Sequence, residues 1–249
     1  MCTNHHHHAG LTREAHRALP FISNTDLTEA KNRALGITRQ PNPQPLMFGT
    51  QFHAAVPEPD RYQRTTKRVP WAQIEELAAA VRRHRFCRDL LYRGQAEQTH
   101  TATHQATGLP VKVRPDLMIT SPKTGRVVLV DFKTTGCPDY VNFCATIEKY
   151  DYDRQAALYA GLLGATRSII IGMQKPRPKR LQRTPEVWQF EVMPAPGLIE
   201  QGRKKYERLI KPFIQQQARP PTPADMTLLC HCGLCWPGRT LQRPSPGAS

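Results

Sequence analysis

Two runs constrain the fold of this chain more than anything else in it: VRPDLMI, extended to Thr120, and VVLVDFKTT, from Val127 to Thr135. Both are rich in β-branched residues, and the turn formers Ser121, Pro122, Lys123, Thr124 and Gly125 separate them, so they read as a β-hairpin. If Ser121 faces Arg126, then five residues further from the turn on each strand Asp116 faces Asp131. Opposed Cβ atoms on an antiparallel pair lie about 4.5–5.5 Å apart, and like charges so placed repel unless something neutralises them. A divalent cation would do so. Magnesium takes carboxylate and water oxygens in octahedral geometry, usually one or two protein carboxylates plus substrate phosphate. Side chains alternate along a strand, so Asp131 and Lys133 share a face while Phe132 points into the opposite layer. From that face the Lys133 ammonium can orient a water and offset charge building on a phosphate. The alternative is a pair of charged residues on the wet face of an ordinary hairpin, and spacing by itself weighs the two readings equally.

The surrounding pattern predicts an α/β layer architecture with these strands in its middle. Ser23-Asn24-Thr25-Asp26 is a cluster of helix N-cap residues, opening a helix that runs to Gly36. Leu46 to Val56 reads as a short apolar helix stopped before Pro57 and Pro59. From Trp71 to about Tyr92 apolar residues recur at helical spacing, and arginines gather at the far end. Strands are expected at Gln95–Thr103, Leu109–Thr120 and Arg126–Thr135, helices at Asp139–Lys149 and Asp151–Leu163, then strands at Ser168–Met173 and Val187–Met193. A last helix spans Gly197 to Gln217, with Pro212 expected to kink or break it.

Lys and Arg outnumber Asp and Glu by 35 to 20, a formal charge of +15 that favours polyanionic partners such as nucleic acid. No apolar run approaches the roughly 18–20 residues that cross a bilayer, and the start lacks the apolar stretch of a secretory signal, so a cytoplasmic protein without membrane contact is expected. At 249 residues one core is the natural expectation: a disordered segment over 1–20, a folded domain over 21–217, and a Pro/Arg-rich tail over 218–249. His5 to His8 have the look of a tag or a low-complexity start and are set aside from the fold.

The hairpin residues resemble the PD-(D/E)xK core of the exodeoxyribonuclease VIII (RecE-like) nucleases, and further segments resemble that family in the same order. FISNTDLTEAK is similar to its early helix, and LMFGTQFHAAVPEPDRY to its Gly-Thr-x-x-His segment. AEQTHTATHQATG is similar to the strand before the core, and YDYDRQAALYAGLL to its Gln-x-x-x-Tyr helix. An ordered combination of motifs is far more specific than any one of them. The resemblance implies a restriction-endonuclease-like core, a central mixed β-sheet flanked by helices. It implies that His53, Glu97, Asp116, Asp131 and the backbone carbonyl of Phe132 bind Mg2+, with Mn2+ as a substitute. It gives catalysis to Glu97, Asp116, Asp131 and Lys133 and DNA contacts to Gln155 and Tyr159, and the basic side chains Arg114, Lys175 and Arg177 are further candidates for DNA contact. It further implies digestion of duplex DNA ends from the 5′ side, a homo-oligomer, and delivery of single strands to a RecT-like annealing recombinase. Bland readings stand beside these. A lone His on an apolar helix is by default a core histidine bonded to a backbone carbonyl. Gln155 and Tyr159, four apart, share a helix face whether or not they touch DNA.

Basic runs at Arg82–Arg88, Lys175–Arg183 and Arg203–Lys211 could line a phosphate track, although a charge run is more often a solvated face. Cys230, Cys232 and Cys235 form CHCGLC, half of a metal knuckle. A fourth ligand would have to come from His231, Cys87 or Cys2, and with one distant cysteine the set is similar to the iron–sulfur arrangement of AddB-like and CRISPR-adaptation nucleases, though the one-residue gap between Cys230 and Cys232 departs from it. Zinc, an iron–sulfur cluster and free thiols all remain open on sequence. An inactive DNA-binding module with a nuclease fold is the non-enzyme alternative.

Overall fold

The computed structural model describes residues 2–38, 42–57, 64, 68–175, 185–193 and 197–218. Its centre is a five-stranded sheet in the order β2 (Gln95–Ala96), β5 (Leu117–Thr120), β6 (Val127–Thr135), β7 (Arg167–Gln174), β8 (Val187–Met193). Only β6 and β7 run parallel. A parallel pair needs a long crossover, supplied here by α6 (Tyr140–Lys149) and α7 (Tyr152–Leu163). A second, antiparallel sheet joins β1 (Cys2–His8), β3 (Thr99–His104) and β4 (Pro110–Val113).

Alternation along the central strands sorts their side chains between two layers. Val130 and Phe132 of β6, with Ile169, Ile171 and Met173 of β7, join α3 (Pro43–Ala55), α4 (Trp71–Arg83) and α5 (Arg85–Arg93) in the largest core. On the other face Leu129 packs with Ala160 of α7, and Ile170 with Phe143 and Ile147 of α6. Each fully buried large apolar side chain contributes roughly 1.5–3 kcal/mol. Asp131 and Lys133 lie on this second face, beneath α7.

The expected strand Leu109–Thr120 is two strands, β4 in the small sheet and β5 in the large one, divided at Arg114-Pro115-Asp116. Pro115 has no N–H to give a ladder. The expected strand Gln95–Thr103 divides in the same way at Glu97, whose φ of 52° is left-handed and turns the chain from β2 into β3. The two break points touch, since the Glu97 N–H donates to the Asp116 carbonyl at 3.2 Å. Likewise the helix expected over Trp71–Tyr92 is α4 and α5, divided at the extended residue His84.

In the amino-terminal segment, expected from its sequence to be disordered, Cys2–His8 forms a strand and α1 (Arg13–Ala18) a short helix. The histidine tract pairs with β3, His5 Nε2 lies 3.1 Å from His100 Nδ1, and the His7 ring stacks on His100 at 4.8 Å. His5 and His7, at alternate positions of the tract, both stack on the His100 ring of β3. α2 (Asn24–Ala34) begins at the N-cap cluster read from the sequence, where Ser23 and Asp26 form a capping box. Residues 1–211 form one compact unit and 212–249 a second. The helix α8 (Leu198–Ala218) continues through Pro212. Among the described residues no helix is long and apolar enough to cross a membrane.

Candidate metal centre

The hairpin register is the one the turn predicts: Thr120 pairs with Val127, Leu117 with Val130, and the Ser121 N–H donates to the Arg126 carbonyl. One step beyond Leu117, where β5 has ended, the Asp116 carboxylate takes over the missing ladder contact and accepts the Phe132 N–H at Oδ2, 2.7 Å. Its other oxygen, Oδ1, lies 3.1 Å from Nδ1 of His53 on α3. Glu97 completes the group: ligand atoms of His53, Glu97 and Asp116 all lie within 4.8 Å of one another. Three elements distant in sequence therefore bring two carboxylates and an imidazole to one point at the junction of the two sheets.

Asp131 sits beside this group rather than in it. Lys133 Nζ holds its Oδ2 at 2.6 Å and Gln155 Nε2 of α7 donates to its Oδ1 at 2.8 Å. Lys133 also donates to Gln155 Oε1 at 3.2 Å and lies 4.9 Å from the centre of the Tyr152 ring. Asp116 thus lies with His53 and Glu97, while Asp131, its partner in the register, is engaged by Lys133 and Gln155.

Burial works against charge throughout this cluster, and the neighbours decide which charges survive. For Lys133 burial favours the neutral amine, but Asp131 and Asp116 outweigh it and raise its pKa, so it is an ammonium at neutral pH. Asp116 has the same burial penalty, overcome by His53, Lys133 and the Phe132 N–H, and its pKa is lowered. Asp131 is raised, by burial first, with Lys133 opposing and the Asp116 charge adding to the rise. His53 is raised: burial opposes its charge, and the Asp116 carboxylate prevails. The His53–Asp116 contact is short but poorly directed, and buried Nδ1 has no hydrogen-bond partner. The bland reading of His53, satisfied by a backbone carbonyl, is not what this nitrogen does. An imidazole and two carboxylates with ligand atoms this close together are a donor set for a divalent metal ion.

The remaining expected residues are placed as follows. The Arg114 guanidinium is turned inward, from Nε to Glu97 Oε2 at 2.7 Å and from Nη1 to the Leu11 carbonyl and Thr99 Oγ1, both at 2.8 Å. It holds Glu97 in its left-handed position. Tyr159 lies against the Arg114 backbone, its phenol pKa raised by burial and then by Asp131 and Asp116. Lys175, at the end of β7, sits 4.7 Å from the Phe48 ring centre, its pKa lowered by burial. Cys87 is enclosed by the core of α3, α4 and α5, where burial pushes its thiol up to about 12, conditions that keep the thiol neutral. Arg177, Cys230, Cys232 and Cys235 lie outside the described residues. Tyr152 against Lys133 is absent from the sequence reading, and Arg114, expected there on DNA, enters here as the partner of Glu97. Tyr152 precedes Gln155 by one helical turn, a signal that could have found it.

A mixed α/β sheet carrying these acids and a lysine on adjoining strand ends defines a PD-(D/E)xK-like domain. The family described as "PDDEXK-like domain of unknown function (DUF3799)" matches residues 27–179, more than half the chain, and the chain belongs to that family. No curated protein matches it in sequence. Among solved structures it is similar to a phage-related exonuclease from Haemophilus somnus 129PT, at 12% identity and a TM-score of 0.44, over 83% of this chain and 84% of that one. It is also similar to SSO0001, at 14% identity and a TM-score of 0.33, over 85% of this chain and 96% of that one.

Proposed function

We propose that this protein is a divalent-metal-dependent deoxyribonuclease whose centre is built by His53, Glu97 and Asp116, with Asp131 and Lys133 alongside. The observation that carries this is the convergence of ligand atoms of His53, Glu97 and Asp116 within 4.8 Å of one another, in a family of PDDEXK-like domains. His53, Glu97, Asp116 and, on rotation from Lys133, Asp131 would hold Mg2+ or Mn2+, with the Phe132 carbonyl completing the set that the motif resemblance implies. The metal would supply charge stabilisation to a phosphodiester under attack by water. Lys133, held cationic, would orient that water and offset charge on the phosphate, and Gln155 would fix both Lys133 and Asp131.

The finer reading is an exonuclease of duplex DNA ends, running 5′→3′ in the cytoplasm, assembled as a homo-oligomer and delivering single strands to a RecT-like annealing protein. It rests on the ordered motifs of the RecE-like resemblance. A zinc or iron–sulfur version using Cys87, Cys230, Cys232 and Cys235 has the enclosure of Cys87 within the apolar core of α3, α4 and α5 against it. Digestion of end-labelled linear and circular duplexes with magnesium tests activity, end dependence and direction together. The expected result is loss of linear duplex only, abolished by a chelator and by Asp116→Asn, and reduced about 100- to 1000-fold by Lys133→Ala. Activity surviving both substitutions would overturn the site, and cutting of circles would overturn the exonuclease reading.

A further inference from the structure

The corner between α6 and α7 carries an aromatic pair that the metal centre leaves unexplained. Tyr150 ends α6 and is 56% exposed, and Tyr152 begins α7 with its ring against Lys133. The two rings are 5.9 Å apart at 46°. Lys149 Nζ lies 5.6 Å from the centre of the Tyr150 ring, so each tyrosine has a lysine over it. Between them Asp151 adopts a φ of 56°, a left-handed conformation that a non-glycine residue keeps only when its surroundings enforce it. They do: the Asp151 carboxylate is held by Lys31 at 2.5 Å, Arg154 at 3.3 Å and Lys205 at 3.4 Å, drawn from α2, α7 and α8. A strained corner fixed by three cations presents one ring to solvent and one to the catalytic lysine.

An exposed aromatic face flanked by ammonium groups matches the chemistry of a nucleobase with its phosphate, since every base has a π-face and every linkage an anion. We propose that Tyr150 and Tyr152 form a stacking step that takes an unpaired base of a nucleic-acid strand next to Lys133. Tyr150 carries the base and Lys149 the adjoining phosphate, so that a separated strand, rather than intact duplex, leads to the metal centre. This deepens the nuclease reading and rests on it for the ligand class.

The test is binding of a short fluorescent single-stranded oligodeoxynucleotide to the full chain, with calcium replacing magnesium, in parallel with a blunt duplex and with a cleavage assay. Tyr150→Leu, at an exposed position, should weaken single-strand binding roughly 5- to 100-fold, the range set by losing one stacked base. Tyr150→Trp should restore it, which a merely structural role would not predict, and the blunt duplex should bind both variants as it binds the wild type. Equal single-strand affinity for wild type and Tyr150→Leu, equal losses on both ligands, or a wild type that binds no single strand would each overturn the stacking step. A protein that cleaves nothing yet binds single strands through Tyr150 would sink the nuclease reading alone.

Discussion

At the scale of single residues, the position of Glu97 depends on one side chain. Its left-handed φ of 52° costs roughly 1–3 kcal/mol, and Arg114 holds the strained residue with an ion pair at 2.7 Å while anchoring itself to Leu11 and Thr99. Arg114 therefore acts on the metal centre through Glu97. Arg114→Gln removes the fork that fixes the carboxylate and should raise the magnesium concentration for half-maximal cleavage about 10- to 100-fold, the usual cost of losing a partner that orients a ligand. The maximal rate at saturating metal should fall much less. A metal titration of activity checks this, and a variant with unchanged metal dependence and a collapsed maximal rate would instead place Arg114 on the substrate, as the sequence reading expected.

At the scale of elements, what could be read from sequence was what short-range chemistry dictates. The β5–β6 register follows from a five-residue turn, and the start of α2 from the N-cap cluster Ser23 to Asp26. The switch between sheets at Glu97 and Asp116 was not readable, because it arises from a contact between two strands far apart in the chain. Motif resemblance singled out His53 and Glu97, which the fold brings together with Asp116, whereas the contacts of Arg114 with Glu97 and Lys133 with Tyr152 arise only in three dimensions. Two tests belong here. Gly172 of β7 sits under Phe143 of α6, and a Cβ there would come within 2.5 Å of the ring, so Gly172→Ala should lower stability by about 1–3 kcal/mol, read as a shift in Tm. Asp151 offers a test by pH. Burial disfavours its charge, but Lys31, Arg154 and Lys205 overcome that and hold its carboxyl below the usual range. A lowered folded-state pKa stabilises above the unfolded value, near 3.9, and that stabilisation disappears as pH falls through the folded one. Asp151→Asn keeps a side chain that tolerates left-handed φ and removes the charge, so it should cost about 3 kcal/mol at neutral pH. The difference from wild type should shrink as pH is lowered below about 4, and a deficit independent of pH would mean the corner is held by geometry rather than charge.

At the scale of the whole molecule, the +15 charge must be divided between cations committed inside the fold and cations presented outward. Lys205 is tied to Asp153 at 2.8 Å, Lys112 donates to the carbonyls of Arg17 and Leu19, and Arg82 donates to the Ala55 carbonyl, so these do not serve a phosphate track. On α8, Lys204, Arg208 and Lys211 are exposed and recur at helical spacing, one stripe along a single face. On α5, Arg85 and Arg88 are exposed one turn apart. Each phosphate neutralised by such a cation releases counterions, and the logarithm of affinity falls with the logarithm of salt by about 0.9 per contact on duplex DNA. If the α8 stripe lies along DNA, replacing Lys204, Arg208 and Lys211 together by Gln should reduce the magnitude of that slope by up to about 3, while the Arg85 and Arg88 pair would account for at most about 2. Duplex binding measured over a series of potassium chloride concentrations, with calcium in place of magnesium, separates the two faces. A slope unchanged in the α8 variant but lowered in the α5 variant would move the duplex to the α5 side, and a slope near zero in the wild type would leave the charge as a solvated surface.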